Sequence, residues 1–403
     1  MRKPLIVFGV SKPNVYSYAK ILGAIEQDST INELFEIRVI RKNPYRPPFY
    51  SLMMKKMDLR NRPYVIIMFS VLSAQFPNFQ KAMSSEIPKI REINKNLITI
   101  AGGWHVTGSP VEALDCGVDF CILGESEYIL GKLLNIIGCS FPKGNLKSVK
   151  NSLKDMLNQN ELNHLAFKHL DRIYLRDIRK NIEDSTHFVV LDDYIPYSEK
   201  YRVFAPIEIS RGCPFRCKFC QTGSYWKYMR HASVDCIVKW VKHAVEIKYD
   251  RVWFLSSNSF AYGSKNGTGT NPSLVKRLLK EVKAIPDLDE IYFGTFPSEV
   301  RPEYVTPEMI DAIKEYISNE YFSIGAQSAS DRLLRSINRG HCFADVENAT
   351  DILTEYGYGV DIDFIFGLPG ETKSDIDKTI DFFKEILKSP KKILIHTHKF
   401  MPL

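Results

Sequence analysis

The sequence predicts an α/β protein made of two parts. Short apolar runs alternate with segments of helical periodicity over residues 1–138, and the same alternation resumes after Pro206. A polar, charged segment at residues 139–203 separates the two series. The chain has 403 residues, which is long enough for two domains with separate buried cores. Strands that alternate with helices usually pair in parallel, so we expect a parallel sheet in each part.

The first part, residues 1–138, has the pattern of a Rossmann-like domain, an open parallel sheet with helices on both faces. Runs rich in Val, Ile, Leu and Phe predict buried strands at Leu5–Val10, Phe35–Ile40, Tyr64–Leu72, Leu97–Ala101 and Val118–Gly124. Helical periodicity predicts helices at Tyr16–Ile25, Asn78–Asn94 and Ser126–Ile137. Residues 139–203 are expected to be a linker with some helix, around Val149–Leu157 and Glu161–Leu170; a lid between the domains is the alternative.

The second part, residues 204–403, has the pattern of a partial (β/α)6 TIM-type barrel, open on one side. Its predicted strands are Pro206–Ser210, Arg251–Leu255, Glu290–Thr295, Tyr321–Ala326, Val360–Phe366 and Ile393–Lys399. Its predicted helices are Val234–Ile247, Ser273–Ile285, Pro307–Tyr316, Ala344–Tyr356 and Lys373–Leu387. Such barrels place their chemistry at the carboxyl ends of the strands. His396 and His398 alternate on the sixth strand and share a face, where we expect hydrogen-bonded packing; acid/base or substrate contacts inside the barrel are the alternative.

The composition excludes several classes of protein. With 44% hydrophobic and 25% charged residues, the chain is neither disordered nor of low complexity. Its net charge of +7 is spread over a long chain, so nucleic acid is not an expected partner. The longest apolar stretch, Tyr64–Ala74, is too short to span a bilayer. Three of the eight cysteines crowd into one octet and the rest are scattered, which favours a cytoplasmic protein with a metal site.

The cysteine octet follows the first predicted barrel strand. Cys213, Cys217 and Cys220 have three and two residues between them. Thiolates this close on one loop can converge on a single metal centre, and soft sulfur ligands favour zinc or iron–sulfur. A closed zinc site takes four ligands, whereas three thiolates on a four-iron cluster leave one iron free to bind a substrate. A zinc knuckle that borrows Cys236 or His231 is the alternative.

The octet resembles the motif of the radical S-adenosylmethionine (SAM) enzymes, with Phe219 as the aromatic residue before the third cysteine. This resemblance implies that the three thiolates hold a four-iron four-sulfur (4Fe–4S) cluster, whose unique iron binds SAM. An electron from a ferredoxin or flavodoxin then cleaves SAM to a 5′-deoxyadenosyl radical. The resemblance runs from about Ile207 to the C-terminus and includes the segments Ser323–Gly340 and Asp361–Glu371.

The same resemblance suggests contacts with SAM at the strand ends. Many relatives end the second strand with two glycines and an acid that holds the methionine amine. This chain has Ser256–Phe260 there, so Asn258 is only a candidate for that role. The alternative for the polar candidates after the second and third strands is that they are ordinary polar strand ends, which face water and bind no ligand. The candidate SAM contacts are Phe219, Asn258, Ser298, Glu299, Gln327, Ser328 and Gly367.

Glycines and hydroxyls end the strands of the first part. Glycine lets the backbone approach a ligand closely, and open parallel sheets bind ligands at that edge; a tight turn is the alternative. Joined in this order to a radical SAM domain, this part resembles the cobalamin-binding domains of cobalamin-dependent radical SAM enzymes. The Asp-x-His-x-x-Gly motif that ligates cobalt is absent, which leaves open a degenerate domain without cobalamin. The candidate cobalamin contacts are Ser70, Ser73, Gly102, Gly103, Gly124 and Glu125.

The resemblance implies an enzyme. The leading candidate is a methyltransferase that acts on an unactivated carbon and carries the methyl group on cobalamin. Its catalytic residues are not identified by the sequence. The alternatives are a radical rearrangement or ring-contraction enzyme, a methylthiotransferase-like enzyme that would need a second cluster, and an iron–sulfur electron carrier or sensor. The substrate can be a small molecule, a lipid or a peptide. The chain ends soon after the sixth predicted barrel strand, so we expect a truncation or a missing barrel cap.

Overall fold

The computed structural model describes residues 2–141, 145–158, 162–175, 188–388 and 390–402. Two compact units are present, which we call the N-terminal unit (Met1–Val189 and Asp193–Ala205) and the C-terminal unit (Val190–Asp192 and Pro206–Leu403). Most of the segment predicted as a linker, residues 139–203, is thus part of the N-terminal unit wherever it is described. Within the described residues, no helix is both long enough and apolar enough to cross a membrane.

The N-terminal unit is built on one mixed sheet. Its strands are β1 (Leu5–Gly9), β2 (Glu36–Ile40), β3 (Val65–Ser70), β4 (Leu97–Gly102), β5 (Phe120–Ile122), β6 (Leu165–His169) and β7 (Arg172–Leu175). They pair in the order β2-β1-β3-β4-β5-β6-β7, in parallel from β2 to β5 and antiparallel at β6 and β7. The strand order reverses at β1 and β3, and open α/β sheets bind ligands beside such a switch point.

Helices cover this sheet on both faces. They are α1 (Val15–Gln27), α2 (Ser29–Leu34), α3 (Phe49–Lys56), α4 (Phe76–Ser85), α5 (Ile87–Ile93), α6 (Trp104–Gly108), α7 (Pro110–Asp115), α8 (Glu127–Ser140) and α9 (Leu146–Asn158). Alternate residues of β1 enter different cores because strand side chains point to opposite faces. Phe8 packs in the core with Leu22 of α1, and Val7 packs in the other core with Phe79 of α4.

Two helix predictions in this unit are corrected. The single helix expected at Asn78–Asn94 is two helices, α4 and α5, because Pro88 at the start of α5 cannot continue the hydrogen bonds of a helix. The helix expected at Glu161–Leu170 is wrong, since residues 165–169 form strand β6. Ala166 pairs with Cys121 of β5, so pairing with a distant strand decides the structure here. The start of that predicted helix lies outside the described residues.

The C-terminal unit forms the expected partial barrel. Its strands are β8 (Ile207–Glu208), β9 (Ser210–Arg211), β10 (Arg230–His231), β11 (Arg251–Leu255), β12 (Glu290–Tyr292), β13 (Tyr321–Gln327), β14 (Gly359–Phe366) and β15 (Ile393–Lys399). Parallel pairing gives the sheets β12-β11-β8 and β13-β14-β15. Val300 bridges the two sheets by parallel pairing with Ile324. The first predicted strand is split, because β8 pairs with β11 whereas β9 pairs antiparallel with β10.

Helices follow the barrel strands as the sequence predicts. They are α10 (Gln221–Tyr225), α11 (Val234–Glu246), α12 (Pro272–Lys283), α13 (Pro307–Ile313), α14 (Asp331–Ser336), α15 (Phe343–Glu355) and α16 (Lys373–Ile386). Side chains that accept a backbone N–H start several of them, namely Ser233 at α11, Asn271 at α12 and Thr306 at α13. In α12, the apolar residues Val275, Leu278, Leu279 and Val282 recur at helical spacing and are buried, so they form one apolar face of the helix.

Candidate functional site

The three cysteines lie in a loop that the pairing of β9 and β10 closes at its base. Within this loop the backbone N–H of Cys213 donates to Trp226 O at 2.8 Å, and that of Cys220 donates to Cys217 O at 3.0 Å. All three cysteines are free thiols. The structure therefore brings the predicted cluster ligands together on one folded loop, which follows the first barrel strand.

The three sulfur atoms lie within electrostatic reach of one another. Burial raises the pKa of the Cys213 thiol, and the Cys220 and Cys217 thiols raise it further. The backbone N–H of Phe215 and the guanidinium of Arg301 oppose this shift. Over the described part of the chain, no group of three or more His, Cys, Asp or Glu side chains is arranged to hold a metal ion. The fit to an iron–sulfur cluster rests instead on the chemistry of the loop, which offers three free thiols at the end of the first barrel strand.

The segment after α14 holds the cysteine loop in place. The Lys218 N–H donates to Ile337 O at 2.9 Å, and Asn338 Nδ2 donates to Arg216 O at 3.0 Å. Arg339 Nη1 donates to the Cys217 sulfur at 3.9 Å. Arg339 lies in the motif segment Ser323–Gly340, but its residue type alone indicates no role. No local signal reveals this contact, because the partners are 122 positions apart in the chain.

Three polar side chains converge above Gly325 in β13. A Cβ atom on Gly325 would lie 2.5 Å from Gln327 Nε2, 2.7 Å from Glu299 Oε2 and 2.9 Å from Arg339 Nη2. A β-bulge falls between Gly325 and Gln327, and Gln327 has a φ of 71°, a region that non-glycine residues rarely occupy. Backbone strain of this kind is typical of functional sites. We call this group (Glu299, Gln327 and Arg339 above Gly325) the Gly325 platform.

The carboxyl of Glu299 is unusually easy to protonate. Surrounding protein atoms desolvate it and raise its pKa, although its side chain keeps contact with solvent. Asp363 raises this pKa further, whereas Arg339 and His398 lower it. Glu299 therefore lies among charged groups inside the barrel, where its own charge is only partly balanced.

The remaining polar SAM candidates, Ser298, Ser328 and Asn258, differ in whether their side-chain groups already have hydrogen-bond partners. The Ser298 hydroxyl donates to Phe254 O and accepts from the Ser256 N–H, both at 2.8 Å. The Ser328 hydroxyl accepts from the Ser330 N–H at 3.1 Å. Both serines thus have structural bonds. Asn258 is buried, and its Nδ2 atom has no hydrogen-bond partner within the described residues, which leaves a donor for a ligand.

Two further SAM candidates, Phe219 and Gly367, share one region. Phe219 packs against a small apolar cluster that contains Leu333, Leu334 and Leu368. Gly367 precedes Leu368, and no atom lies within 4 Å of the place where its Cβ would be. Phe219 and Gly367 therefore border the same surface, one as an aromatic wall and the other as an open backbone position.

A buried polar network supports the cysteine loop from the side of β12. The Arg301 guanidinium lies over the Phe215 ring and pairs with Glu303, with 2.5 Å between Nη2 and Oε1. His341 Nδ1 is 3.6 Å from Glu303 Oε2. Burial, together with Arg339 and Arg301, lowers the pKa of His341 to about 2, so this imidazole is neutral. The sequence analysis did not identify Glu303 or His341.

The two histidines of β15 line the inner face of the barrel. Phe364 of β14 packs against Phe383 of α16, so its neighbour Asp363 faces the other way. His398 Nε2 is 3.1 Å and His396 Nδ1 is 3.6 Å from Asp363 Oδ1. The two residues share a face as predicted. The bond between His398 and Asp363 agrees with the expected hydrogen-bonded pair, but the imidazoles are 55% and 59% exposed and are therefore accessible, not packed in a core.

Candidates in the N-terminal unit gather at the carboxyl edge of its parallel strands. Ser70 ends β3 and is 4% exposed, and its hydroxyl makes no hydrogen bond with any described residue. Gly103 has a φ of 95°, and a Cβ there would lie 2.9 Å from Val71 N and O. Gly103 is thus required by close packing of the protein backbone itself. At Gly102 a Cβ would lie 3.4 Å from Ile122 O, an ordinary contact.

The other three candidates at this edge have partners within the protein. The Ser73 hydroxyl is 3.3 Å from His105 Nδ1, and the His105 ring stacks on Phe76. The Gly124 N–H donates to the Thr107 hydroxyl at 3.0 Å. Glu125 Oε2 accepts from the Val189 N–H at 2.8 Å. These contacts shape the edge, and Ser70 is the candidate whose polar group stays available.

Comparison with known proteins assigns the C-terminal unit. Residues 207–383 match the sequence family described as the radical SAM superfamily. These residues form a radical SAM domain. The predicted resemblance of the second part to radical SAM enzymes is confirmed for these residues, and so is the prediction of an enzyme, since the matched proteins are enzymes.

Curated relatives of the radical SAM domain are methylthiotransferases. The ribosomal protein uS12 methylthiotransferase RimO of Pseudothermotoga lettingae is 27% identical over 52% of this chain and 48% of its own length. The threonylcarbamoyladenosine tRNA methylthiotransferase of Mus musculus is 29% identical over 47% of this chain and 32% of its own. The chain therefore spans about half or less of the length of these two relatives.

Solved structures resemble the chain over nearly its whole length. The radical SAM methyltransferase TsrM of Kitasatospora setae, solved with cobalamin and a 4Fe–4S cluster, has a TM-score of 0.69 and 15% identity. This match covers 99% of this chain and 75% of TsrM. The cobalamin-dependent radical SAM enzyme OxsB has a TM-score of 0.64 and 13% identity over 94% of this chain and 51% of its own. These likenesses confirm the predicted α/β fold.

Proposed function

We propose that this radical SAM protein is a cobalamin-dependent methyltransferase that acts on an unactivated carbon. One observation carries the proposal. The unpartnered Ser70 hydroxyl ends β3, beside the point where the strand order of the N-terminal unit reverses. An open sheet binds its ligand at such a point. The likeness to TsrM supports the proposal because it extends through this unit as well as the radical SAM domain.

In the radical SAM domain, Cys213, Cys217 and Cys220 would hold a 4Fe–4S cluster. When bound, this cluster supplies the electron that cleaves the sulfonium of SAM. The Gly325 platform offers a carboxylate, an amide and a guanidinium, which can bind the charged methionine portion of SAM. The Asn258 amide offers one more donor. Phe219 supplies an apolar wall for the adenine.

In the N-terminal unit, the carboxyl edge of the sheet would hold cobalamin, which supplies a carrier for the methyl group. The Ser70 hydroxyl can donate to the nucleotide tail, and the backbone at Gly102 has no side chain to obstruct it. Gly103 contributes indirectly, because it allows the loop after β4 to pack against Val71. A cytoplasmic location and a flavodoxin or ferredoxin as electron donor follow from this chemistry and are part of the proposal.

Methylthiotransferase activity is the second candidate, and the curated relatives favour it. This activity would need a second cluster, held by further cysteines. The N-terminal unit has Cys116 at the end of α7, Cys121 in β5 and Cys139 in α8. Cys121 is fully buried, and burial raises the pKa of both Cys116 and Cys121. Three thiols on three separate elements do not resemble the single cysteine loop of a cluster site, which supports methyl transfer.

Anaerobic reconstitution tests the two candidates. The chain is supplied with iron, sulfide and hydroxocobalamin, and its iron and corrinoid contents are measured after gel filtration. About four irons and one corrinoid per chain would support the proposal. During turnover, S-adenosylhomocysteine should appear beside 5′-deoxyadenosine. About eight irons without corrinoid would favour a methylthiotransferase, and corrinoid-free protein that forms only 5′-deoxyadenosine would favour a rearrangement. The triple Cys213→Ala, Cys217→Ala, Cys220→Ala variant is the control without the cluster.

A further inference from the structure

Arg339 connects the cysteine loop with the inside of the barrel. Its Nη1 atom donates to the Cys217 sulfur at 3.9 Å, and its Nη2 atom donates to Gly325 O at 2.6 Å. Its Nε atom is buried and has no hydrogen-bond partner in the described parts of the chain. The guanidinium is therefore fixed at two ends, with one face toward a sulfur atom that would ligate the cluster.

The positive charge of Arg339 is poorly balanced by its surroundings. Across the described residues, no carboxylate forms an ion pair with Arg339, whereas Arg301 pairs with Glu303. His341 adds no charge because its imidazole is neutral. Glu299 faces Arg339 across Gly325 and interacts with it electrostatically without forming an ion pair. A guanidinium without an ion-pair partner among the described residues thus lies beside Cys217.

We propose that Arg339 is a positioning residue that raises the reduction potential of the 4Fe–4S cluster. The inference depends on the proposed function, because it requires that Cys217 ligates this cluster. Hydrogen bonds to ligating sulfur atoms and nearby charge are the means by which a protein sets such potentials. A nearby guanidinium stabilises the negative charge that the cluster and its thiolates gain on reduction.

The step involves one electron and no proton. A flavodoxin- or ferredoxin-type donor is oxidised by one electron and the cluster is reduced by one. Arg339 stays protonated throughout, since arginine does not lose its proton in proteins. No covalent bond to Arg339 forms or breaks. Its effect is to let a donor of given potential reduce a larger fraction of the clusters.

A redox titration followed by electron paramagnetic resonance (EPR) tests this inference. Arg339→Gln removes the charge, and Arg335→Gln is the matched control, since Arg335 is exposed on the neighbouring helix α14. All proteins are reconstituted to equal iron content and poised at set potentials with mediators. At a fixed potential, the reduced-to-oxidised ratio of Arg339→Gln should be about tenfold lower, a midpoint about 59 mV more negative for one electron. The control should keep the wild-type midpoint.

Arg339→Lys is the second variant, for the case that Arg339→Gln does not take up a cluster. Lysine keeps the charge but cannot donate as a fork to both Cys217 and Gly325, so the midpoint should fall by a smaller amount. A wild-type midpoint in loaded Arg339→Gln would overturn the inference, even if the wild type binds four irons and cleaves SAM. If only Arg339→Lys takes up a cluster, a wild-type midpoint in that variant would overturn it, because the bonds to Cys217 and Gly325 are weakened there. Failure of the wild-type chain to bind iron would overturn the proposed function itself, and this inference with it.

Discussion

Arg301 lies flat over Phe215, with 3.6 Å between its guanidinium carbon and the centroid of the ring. The same guanidinium pairs with Glu303, so one side chain joins the cysteine loop to the segment after β12. Its backbone N–H also donates to Asn258 Oδ1 at 3.2 Å. Arg301 thereby contacts the cysteine loop through its buried guanidinium and the segment after β11 through its backbone. The cysteine loop is thus held by the barrel before any ligand binds.

Removal of this cation should strongly destabilise the protein. Arg301→Met leaves the Glu303 carboxylate partly buried without its partner, so the free energy of unfolding should fall by about 3–5 kcal/mol. Arg277→Met is the control, because Arg277 pairs with Asp235 and Glu281 at the surface, where ion pairs contribute up to about 1 kcal/mol. Urea unfolding measures both values. Equal, small losses in the two variants would contradict a structural role for Arg301.

Asp375 provides a second test of stability, in which pH is varied. Its buried carboxylate accepts hydrogen bonds from Ser330 and Thr372 and pairs with Arg332. Asp375→Asn should lower the free energy of unfolding by about 1.5–3 kcal/mol at pH 7, as expected for bonds to a charged group. Asp381→Asn, in the exposed pair with Lys384 on the same helix, should cost less than about 1 kcal/mol.

The same carboxylate should give an acid-dependent loss of stability. Its hydrogen bond with Arg332 lowers the pKa of Asp375 below the ordinary 3.8 in the folded protein. A folded-state pKa below the unfolded value stabilises the protein above that unfolded value, and this contribution disappears as pH falls toward the folded-state pKa. The difference between wild type and Asp375→Asn should therefore shrink below pH 3.8. A difference that stays constant down to pH 2 would refute this account.

Sequence reasoning located most strands because their side chains repeat with a short local period. The strand Arg251–Leu255 has the predicted bounds, and the three cysteines occupy the predicted loop. Residues 165–169 were missed because a short antiparallel strand depends on a partner, β5, that is distant in sequence. Local periodicity carries no information about such a partner.

The contacts of the candidate site are likewise hidden from the sequence where they join residues that are far apart in the chain. The contact of Arg339 with Cys217 joins two loops whose separation in the chain hides it. Gly103 was singled out as a candidate ligand contact, and the structure supplies a different reason for this glycine. The backbone that approaches Gly103 is that of Val71. A glycine pattern reveals a close approach and leaves the identity of the approaching group open.

The Gly325 platform gives a prediction that separates binding from folding. Gly325→Ala places a Cβ within 3 Å of the ends of three flexible side chains, which can move without disturbing the backbone. The fold should therefore remain, while the affinity for SAM should fall about two- to tenfold, as for the loss of one hydrogen bond. Calorimetric titration of the reconstituted protein with SAM measures this. Gly269→Ala is the control, because no atom lies within 4 Å of its Cβ position. Unchanged affinity in Gly325→Ala would remove the platform from the SAM site.

Ser70 tests the cobalamin site without harm to the N-terminal unit. Gly103→Leu would be a poor test, because its side chain would collide with the Val71 backbone and unfold the edge. Ser70→Ala removes a hydroxyl that has no partner among the described residues, so the free energy of unfolding should change by less than about 0.5 kcal/mol. If this hydroxyl donates to the nucleotide tail, the dissociation constant for hydroxocobalamin should rise about two- to tenfold.

The dissociation constant is measured from the visible spectrum of the protein as it is titrated with hydroxocobalamin under anaerobic conditions. The free energy of unfolding of the same proteins is measured with urea. Ser84→Ala is the matched control, since Ser84 is an exposed serine of α4 whose hydroxyl bonds within its own helix, to Lys81 O. It should leave both affinity and stability unchanged. Because the predicted cluster ligands belong to the C-terminal unit, Ser70→Ala should bind as much iron per chain as the wild type. Weaker corrinoid binding with intact iron and stability would place the ligand at the end of β3, and equal affinity in all three proteins would exclude Ser70 from the site.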